Sequence, residues 1–324
     1  MRKIPYYIVD VFTDKPLGGN PLAVFPDRSL LHENELQRIA QEMNLSETVF
    51  VEEPKADGAL KRLRIFTPSS ELPLAGHPVV GTWYLLANKG LFDFEKAVEE
   101  KLAYVVKSEN LPEKVIFRHE LGAGVFPVTF FREKGEVGGV IMDQDKPKFG
   151  DTIRDVDDIA KALGIEKQSI TSSFSLPQAV STGIPILMVP LNTRNTLSDC
   201  ALDIVTARKI CEQHDVVGLY AFTRDATVDT EMAFVSTRGF FPEVGVMEDA
   251  ATGSAAGCLG AYLAHNGILT GKQTVAFQIE QGADMGRPSR IGVEITFADG
   301  NIERVRVGGS AVITAQCEMY LPEL

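Results

Sequence analysis

Apolar and polar residues alternate in many short segments of the chain, which is the pattern of β-strands with one buried face. Turn-forming Gly, Pro, Asn and Asp residues separate these segments. Two stretches have helical character instead: residues 33–43 carry apolar side chains at helical spacing, and residues 78–88 are apolar and closed by Gly90. The strands predicted in this half cover residues 7–12, 22–25, 48–51, 63–66, 104–107, 114–118, 128–131 and 139–142.

A second cycle of the same kind follows, and residues 145–152 are predicted to connect the two cycles. Its helices are predicted over residues 156–163, 201–213 and 254–265, and Gly267 closes the last one. Its strands are predicted over residues 186–189, 217–222, 232–236, 275–279, 291–297, 302–307 and 312–319.

The two cycles share their turn and helix-end residues in the same order, which indicates an internal repeat. The pattern predicts an α+β fold of two similar domains, each a barrel-like sheet wrapped round one central apolar helix. We predict domains over residues 1–146 and 147–324, with the last strand, about 311–324, packing back on the first domain. The matching pairs are Gly19–Leu22 with Gly183–Ile186, Arg64–Pro68 with Arg238–Pro242, Gly76 with Gly253, Leu86–Gly90 with Leu263–Gly267, and Glu120–Ala123 with Glu280–Ala283.

Composition narrows the class of protein. The 324 residues are 44% hydrophobic and carry a formal net charge of −12 with scattered Lys and Arg, so no nucleic-acid partner is expected. No apolar run reaches membrane-spanning length, and the N-terminus does not resemble a signal peptide. The four cysteines lack CxxC spacing, which favours a cytoplasmic protein with free thiols.

The segment 248–257 has the composition of a helix start that brings backbone close to an anion. Asp249 precedes Thr252-Gly253-Ser254, and small residues follow. The first turn of a helix has N–H groups without intrahelical partners, and Gly253 leaves them uncovered. The alternative is an ordinary N-cap in which Gly and Ala only permit close packing.

The repeat gives this helix start a counterpart at Gly76-His77. If the two domains face each other about a pseudo-two-fold axis, both helix starts point at one ligand. Two helix N-termini would then stabilise an anion without a metal or cofactor. Such a site suits proton abstraction next to a carboxylate.

A proton shift also requires a base, and the repeat indicates where its two halves differ. Glu47 aligns with Gly218, so the acid is present in one copy only, and burial that raised its pKa would suit it to general acid/base catalysis. Alternatively Glu47 is a solvated strand residue. His77 is a second proton carrier, a neutral hydrogen-bond donor or a structural cap residue. Asp249 holds a substrate amine, orients Ser254 or caps the helix.

Ordered motifs run along nearly the whole chain: Asp10–Thr13, Gly19–Phe25, Asn44–Thr48, Phe66–Pro68, Glu71–Pro78, Ser181–Gly183, Glu248–Gly257, Gln281-Gly282 and Gly286–Ser289. These motifs resemble those of the PhzF-like phenazine biosynthesis family, which has the diaminopimelate-epimerase-like fold. The resemblance implies an isomerase that moves a proton without a cofactor between two barrel-like domains, and it implies a homodimer. It assigns the acid/base role to Glu47 and places His77, Asp249 and Ser254 at the substrate.

Two residues depart from the family pattern: Ala250 stands where proline is usual, and Trp83 where a small residue is usual. Neither departure removes a predicted catalytic group. Amino-acid epimerases of this fold use a thiol at each helix start, and this chain has none at residues 75–77 or 252–254, which excludes inversion by two facing cysteines.

The sequence therefore predicts a cofactor-independent isomerase of a small carboxylate-bearing substrate, with no metal site. Glu47, His77 and Asp249 are the predicted catalytic residues, and Gly76, Gly253 and Ser254 the predicted substrate-binding residues. The alternatives are a one-base epimerase or racemase of an amino or hydroxy acid, and a non-catalytic metabolite-binding protein of the same fold.

Overall fold

The computed structural model describes residues 1–107, 112–133, 136–170, 175–225 and 233–323. Residue 232, the first residue of the strand predicted over residues 232–236, lies outside these ranges. The elements up to residue 143 are β1 (Arg2–Val11), β2 (Asn20–Phe25), α1 (Glu33–Met43), β3 (Glu47–Glu52), β4 (Arg62–Phe66), β5 (Glu71–Leu72), α2 (Gly76–Asn88), α3 (Phe94–Glu99), β6 (Ala103–Val106), β7 (Glu113–Leu121), β8 (Gly124–Glu133) and β9 (Glu136–Asp143). The later elements are β10 (Lys148–Thr152), α4 (Asp157–Leu163), β11 (Gln178–Ser181), β12 (Pro185–Pro190), α5 (Arg194–Asp199), α6 (Ile204–His214), β13 (Leu219–Thr223), β14 (Ala233–Phe241), β15 (Val246–Asp249), α7 (Gly253–His265), β16 (Thr274–Gln281), β17 (Ser289–Ala298), β18 (Asn301–Gly309) and β19 (Ala311–Leu321).

The chain divides into two compact units. Unit 1 comprises Met1–Asp143 and Gly308–Leu324, and unit 2 comprises Gln144–Val307. The last strand, β19, pairs with β1 in antiparallel register from Arg2 opposite Leu321 onward. The N-terminal and C-terminal strands of the chain are therefore neighbours in unit 1.

The strands of unit 1 form a mixed sheet. Antiparallel pairs join β19 to β1 and β1 to β2, and β2 then runs parallel to β3. An antiparallel pair joins β3 to β4, and β4 meets β7 in parallel before β7, β8 and β9 continue antiparallel. The parallel step from β2 to β3 requires a crossover, which α1 supplies.

Unit 2 repeats this order of pairings. Antiparallel pairs join β10 to β11 and β11 to β12, and β12 runs parallel to β13. The next pairs are β13 with β14, antiparallel, β14 with β16, parallel, and β16 with β17, antiparallel. The repeat inferred from turn residues is thus a repeat of sheet topology.

Each unit encloses one helix of thirteen residues, ten of which are buried. So large a buried fraction means that α2 and α7 are covered on all sides rather than on one face. Close packing explains their glycines: a Cβ on Gly81 of α2 would lie 2.6 Å from a Val11 methyl carbon, and one on Gly260 of α7 would lie 2.7 Å from a Val293 methyl carbon.

An equivalent arginine–glutamate ion pair occurs in each unit. In unit 1 Arg64 makes two hydrogen bonds to Glu71, at 2.7 and 2.6 Å, and stacks over Phe66. In unit 2 Arg238 pairs with Glu248 in the same two-bond way and stacks over Phe240. These contacts join β4 to β5 and β14 to β15, the segments that lead into α2 and α7.

The structure corrects the predicted connector over residues 145–152, because β10 begins at Lys148 and pairs with β11. Helices α3 and α5, each of six residues, were not predicted, since such short segments carry too few turns for a clear periodicity. Trp83 is fully buried in unit 1 among the rings of Phe92, Phe94 and Phe117. In the described part of the chain, no helix combines the length and apolarity that a membrane crossing requires.

Candidate active site

Glu47 and His77 lie next to each other in unit 1. The Glu47 side chain is 15% exposed, that of His77 is 5% exposed, and His77 Nε2 is 3.3 Å from Glu47 Oε2. Glu47 begins β3, where its backbone is opposite Leu22 of the parallel strand β2, and His77 is in the first turn of α2. The structure thus brings together an acid and an imidazole that are thirty residues apart.

Asn20 and Ser46 extend this pair. Ser46 Oγ donates a hydrogen bond to Asn20 Oδ1 at 3.0 Å, and Asn20 Nδ2 lies 3.4 Å from His77 Nδ1. Asn20 is buried at the start of β2. The turn before it requires glycine at position 19, where φ is +58° and a Cβ would lie 2.1 Å from the carbonyl oxygen of Val11.

Burial determines the charge of His77. The imidazole is enclosed, and desolvation lowers its pKa to about 3. His77 is therefore a neutral ring at physiological pH. A neutral imidazole carries its proton on one ring nitrogen and can accept a hydrogen bond at the other.

The start of α2 leaves its backbone N–H groups without a capping side chain. The N-cap is Ala75, no side chain accepts from the first turn, and no acidic residue lies in that turn. Asp93, Thr193 and Asp203 do cap α3, α5 and α6. The start of α2, at the buried residues Gly76 and His77, thus has no side-chain cap, which is the condition for backbone N–H groups to bind an anion.

In unit 2, Asp249 is held beside the start of α7. Thr252 Oγ1 donates to Asp249 Oδ2 at 2.5 Å, and Gln281 Nε2 donates to the Asp249 backbone oxygen at 2.7 Å. Thr252, rather than Asp249, is the N-cap residue of α7. The predicted alternative in which Asp249 itself caps the helix is therefore wrong, since this carboxylate receives the hydroxyl of the cap residue.

Gln281 connects this turn to the core of unit 2. Its Oε1 accepts from the Thr252 N–H at 3.0 Å and from Tyr220 Oη at 2.8 Å, and its Nε2 also donates to Thr252 Oγ1 at 3.0 Å. Thr237 Oγ1 donates to Tyr220 Oη at 2.9 Å. Desolvation raises the pKa of Tyr220, so its hydroxyl stays protonated and serves as a fixed donor to Gln281.

The carboxylates of the neighbouring residues Glu248 and Asp249 contact different groups. Successive residues of a strand point to opposite faces, and Glu248 points to Arg238 while Asp249 points to Thr252. Of the two, only Asp249 therefore contacts the N-cap residue of α7.

The start of α7 resembles the start of α2. The side chain of its N-cap residue, Thr252, makes no cap hydrogen bond, its first turn holds no acidic residue, and Gly253 is buried while Ser254 is half-buried. Cys258, one turn further on, is fully buried, and desolvation raises its pKa to about 11, which favours the predicted core role.

Gly218, the counterpart of Glu47, has no room for a side chain. A Cβ there would lie 2.2 Å from the Phe240 carbonyl oxygen and 2.5 Å from a ring carbon of Phe241. The strand registers support the alignment: Ala23 lies opposite Thr48 in unit 1, and Leu187 lies opposite Leu219 in unit 2. The asymmetry read from the sequence therefore has a steric cause.

The structure thus pairs Glu47 with His77 beside Gly76, and it groups Asp249 with Gly253 and Ser254. Sequence reasoning assigned no role to Asn20, Ser46, Tyr220 or Gln281, although Asn20, Ser46 and Gln281 lie in the motifs that carried the resemblance. Among residues 1–107, 112–133, 136–170, 175–225 and 233–323, no three His, Cys, Asp or Glu side chains come together in a way that would hold a metal ion.

Comparisons with known proteins agree with this picture. The family model of the phenazine biosynthesis-like PhzC-PhzF proteins matches residues 9–317. An uncharacterized isomerase of Clostridium acetobutylicum is 30% identical over 99% of both chains. The trans-2,3-dihydro-3-hydroxyanthranilate isomerase of Pseudomonas aeruginosa is 34% identical over 98% of this chain and 99% of its own. A crystal structure of a Bacillus anthracis protein of the PhzF family has a TM-score of 0.84 at 26% identity and covers 99% of this chain and 100% of that one. These similarities confirm the predicted α+β fold class and the resemblance inferred from the motifs.

Proposed function

This chain belongs to the PhzC-PhzF family of phenazine biosynthesis-like proteins and is an isomerase, and we propose that it moves a proton on a small carboxylate-bearing substrate with Glu47 as the general acid/base. The observation that carries the proposal is the partly buried Glu47 carboxylate 3.3 Å from the neutral His77 ring, beside the uncapped start of α2. Enzymes often place the acid or base of a proton transfer in a partly buried position beside another polar group.

The proposed reaction removes a proton from a carbon near the substrate carboxylate. Glu47 accepts that proton and returns it to a different carbon of the same molecule. Negative charge grows on substrate oxygen atoms meanwhile, and backbone N–H donors at Gly76 or Gly253 stabilise it. A carboxylate base and fixed N–H donors suffice for this step, so the proposal includes no cofactor.

The other site residues have assisting roles in this proposal. His77 places a neutral imidazole beside the acid, Asp249 offers a carboxylate to an amine or hydroxyl of the substrate, and Ser254 adds a hydroxyl at the start of α7. An aspartate partner favours an amino-substituted substrate.

We also propose that the protein forms a homodimer, as the resemblance implies. Sedimentation equilibrium of the full-length protein tests this.

Hydrogen exchange with solvent tests the function. The protein is incubated in deuterium oxide with a panel of cyclic and amino-substituted carboxylates that includes trans-2,3-dihydro-3-hydroxyanthranilate, on which the Pseudomonas relative is named to act. We expect deuterium in one of them by mass spectrometry, and a positional isomer as product. Tight binding without exchange would favour a metabolite-binding protein, and exchange with inversion at one carbon would favour the epimerase alternative.

A further inference from the structure

Asn20 determines which nitrogen of His77 carries the proton. Its Nδ2 faces His77 Nδ1 at 3.4 Å, and an amide NH₂ group can only donate. Nδ1 must then accept, which places the ring proton on Nε2. We propose that Asn20 is a positioning residue that holds His77 in the Nε2–H form, so that His77 donates a hydrogen bond and does not act as a base.

Two neighbours bear on the direction of the Asn20 amide: the Ser46 hydroxyl, which can donate or accept, and the Glu47 carboxylate beside the far nitrogen of the ring. Ser46 Oγ donates to Asn20 Oδ1 at 3.0 Å, which leaves Nδ2 on the side of the imidazole. A reversed amide would turn its oxygen to the ring and require the proton on Nδ1. The lone pair of Nε2 would then face Glu47 Oε2 at 3.3 Å, which is repulsive when that carboxylate is ionised.

Burial makes this choice of tautomer lasting. His77 and Asn20 are 4% and 2% exposed, so bulk water does not compete for either side chain. The pKa of His77, lowered to about 3 by desolvation, keeps the ring neutral, and a neutral ring must adopt one tautomer or the other.

The consequence for catalysis rests on the proposed function. His77 Nε2 has no hydrogen-bond partner among the described residues, so an Nε2–H group can donate to a substrate oxygen during the reaction. For metal-ligating histidines, loss of the outer residue that fixes the tautomer typically changes affinity or activity by about 10- to 100-fold, and we expect a loss of that order here. In this proposal Asn20 acts through His77, and His77 is a hydrogen-bond donor rather than a proton carrier.

Nitrogen NMR of the full-length protein tests the tautomer without any substrate. The histidine ring nitrogens are labelled with ¹⁵N near pH 7, and the His77 signals are identified by their loss in His77→Gln. We expect a pyrrole-like Nε2 and a pyridine-like Nδ1 at His77. The opposite pattern would overturn the proposal.

The variant Asn20→Asp replaces the donor by an acceptor of the same shape. We expect the proton of His77 to move to Nδ1, with kcat lowered about 10- to 100-fold and KM little changed. The matched control Asn34→Asp adds the same charge on the exposed face of α1 and leaves both readouts unchanged. An unaltered tautomer in folded Asn20→Asp would overturn the proposal.

Asn20→Leu provides a second test if Asn20→Asp does not fold. It removes the amide donor at similar volume, and we expect both tautomers of His77 to be populated. A single Nε2–H form in this variant would overturn the role of the Asn20 amide. If the wild-type ring is Nε2–H but no substrate exchanges hydrogen, the proposed function fails and the tautomer assignment stands.

Discussion

The imidazole of His77 lies against the carboxylate of Glu47, with Nε2 and Oε2 3.3 Å apart. The ring is neutral, because its pKa is lowered to about 3 by burial. His77 is therefore not the group that takes up a proton near pH 7, and the proposed function assigns that step to Glu47. This division of roles is the basis of the first prediction.

Glu47→Gln keeps the shape of the side chain and removes the base. We expect the rate at which solvent deuterium exchanges into the substrate to fall about 10²- to 10⁴-fold, as for the loss of a general acid/base. The substrate dissociation constant should change little. The matched control is Glu42→Gln, which alters an exposed glutamate of α1 and should leave exchange unchanged. Full exchange in the Glu47 variant would show that another group carries the proton.

Acid should destabilise unit 1 partly through His119. This fully buried ring accepts from Trp83 Nε1 at 3.3 Å, and desolvation lowers its pKa to about 3. An unfolded histidine binds its proton near pH 6.5, so between about pH 6.5 and 3 the unfolded chain binds more protons than the folded one. Stability is therefore full above pH 6.5 and falls as the pH is lowered.

The variant His119→Gln keeps an acceptor for Trp83 and removes the titrating group. Denaturant unfolding at several pH values should show a flatter decline below pH 6.5, by up to ~1.4 kcal/mol per pH unit. Replacement of the exposed His32 is the control and should not flatten the curve. Parallel curves for wild type and His119→Gln would contradict the buried neutral state.

Gly218→Ala should destabilise unit 2. The new methyl group would lie 2.2 Å from the Phe240 carbonyl oxygen, so backbone must move. We expect a loss of about 1–3 kcal/mol or more in the free energy of unfolding, as for other overpacked sites. Gly138→Ala is the control, because a Cβ there meets no atom within 4 Å. Equal stabilities of the two variants would refute the steric account of Gly218.

Gln281→Met should disturb the start of α7. It leaves the N–H of Thr252 and the carbonyl oxygen of Asp249 without their amide partner. Buried groups that lose a partner cost about 1–3 kcal/mol each, so the free energy of unfolding should fall. If α7 binds the substrate carboxylate as proposed, KM should also rise. The exposed Gln273→Met is the control, and an unchanged KM in a destabilised Gln281 variant would argue for a purely structural role.

Features that repeat along the chain could be predicted from the sequence. The alignment of Glu47 with Gly218 came from repeated turn residues, and both strands that carry them follow a left-handed helix cap, at Asn44 and Asp215. Such caps and the apolar helices α2 and α7 have a local signal in the chain. The central helices and the one-sided acid were therefore predictable.

Side-chain partners were not predictable in the same way. Asn20 and Ser46 are 26 residues apart and Asn20 and His77 are 57 apart, so no local pattern announces their hydrogen bonds. Likewise the sequence places Glu248 and Asp249 together, whereas strand geometry sends one to Arg238 and the other to Thr252. These contacts depend on side-chain direction in the folded chain.

The steric closure at Gly218 has an evolutionary consequence. A single codon change cannot give the second repeat an acid like Glu47, because the side chain would collide with the main chain of Phe240 as well as with the ring of Phe241. A mutational path to a two-acid enzyme would first have to reshape β14. While β14 keeps its present course, the second repeat is therefore closed to a side chain at this position, and an acid here is confined to the first repeat.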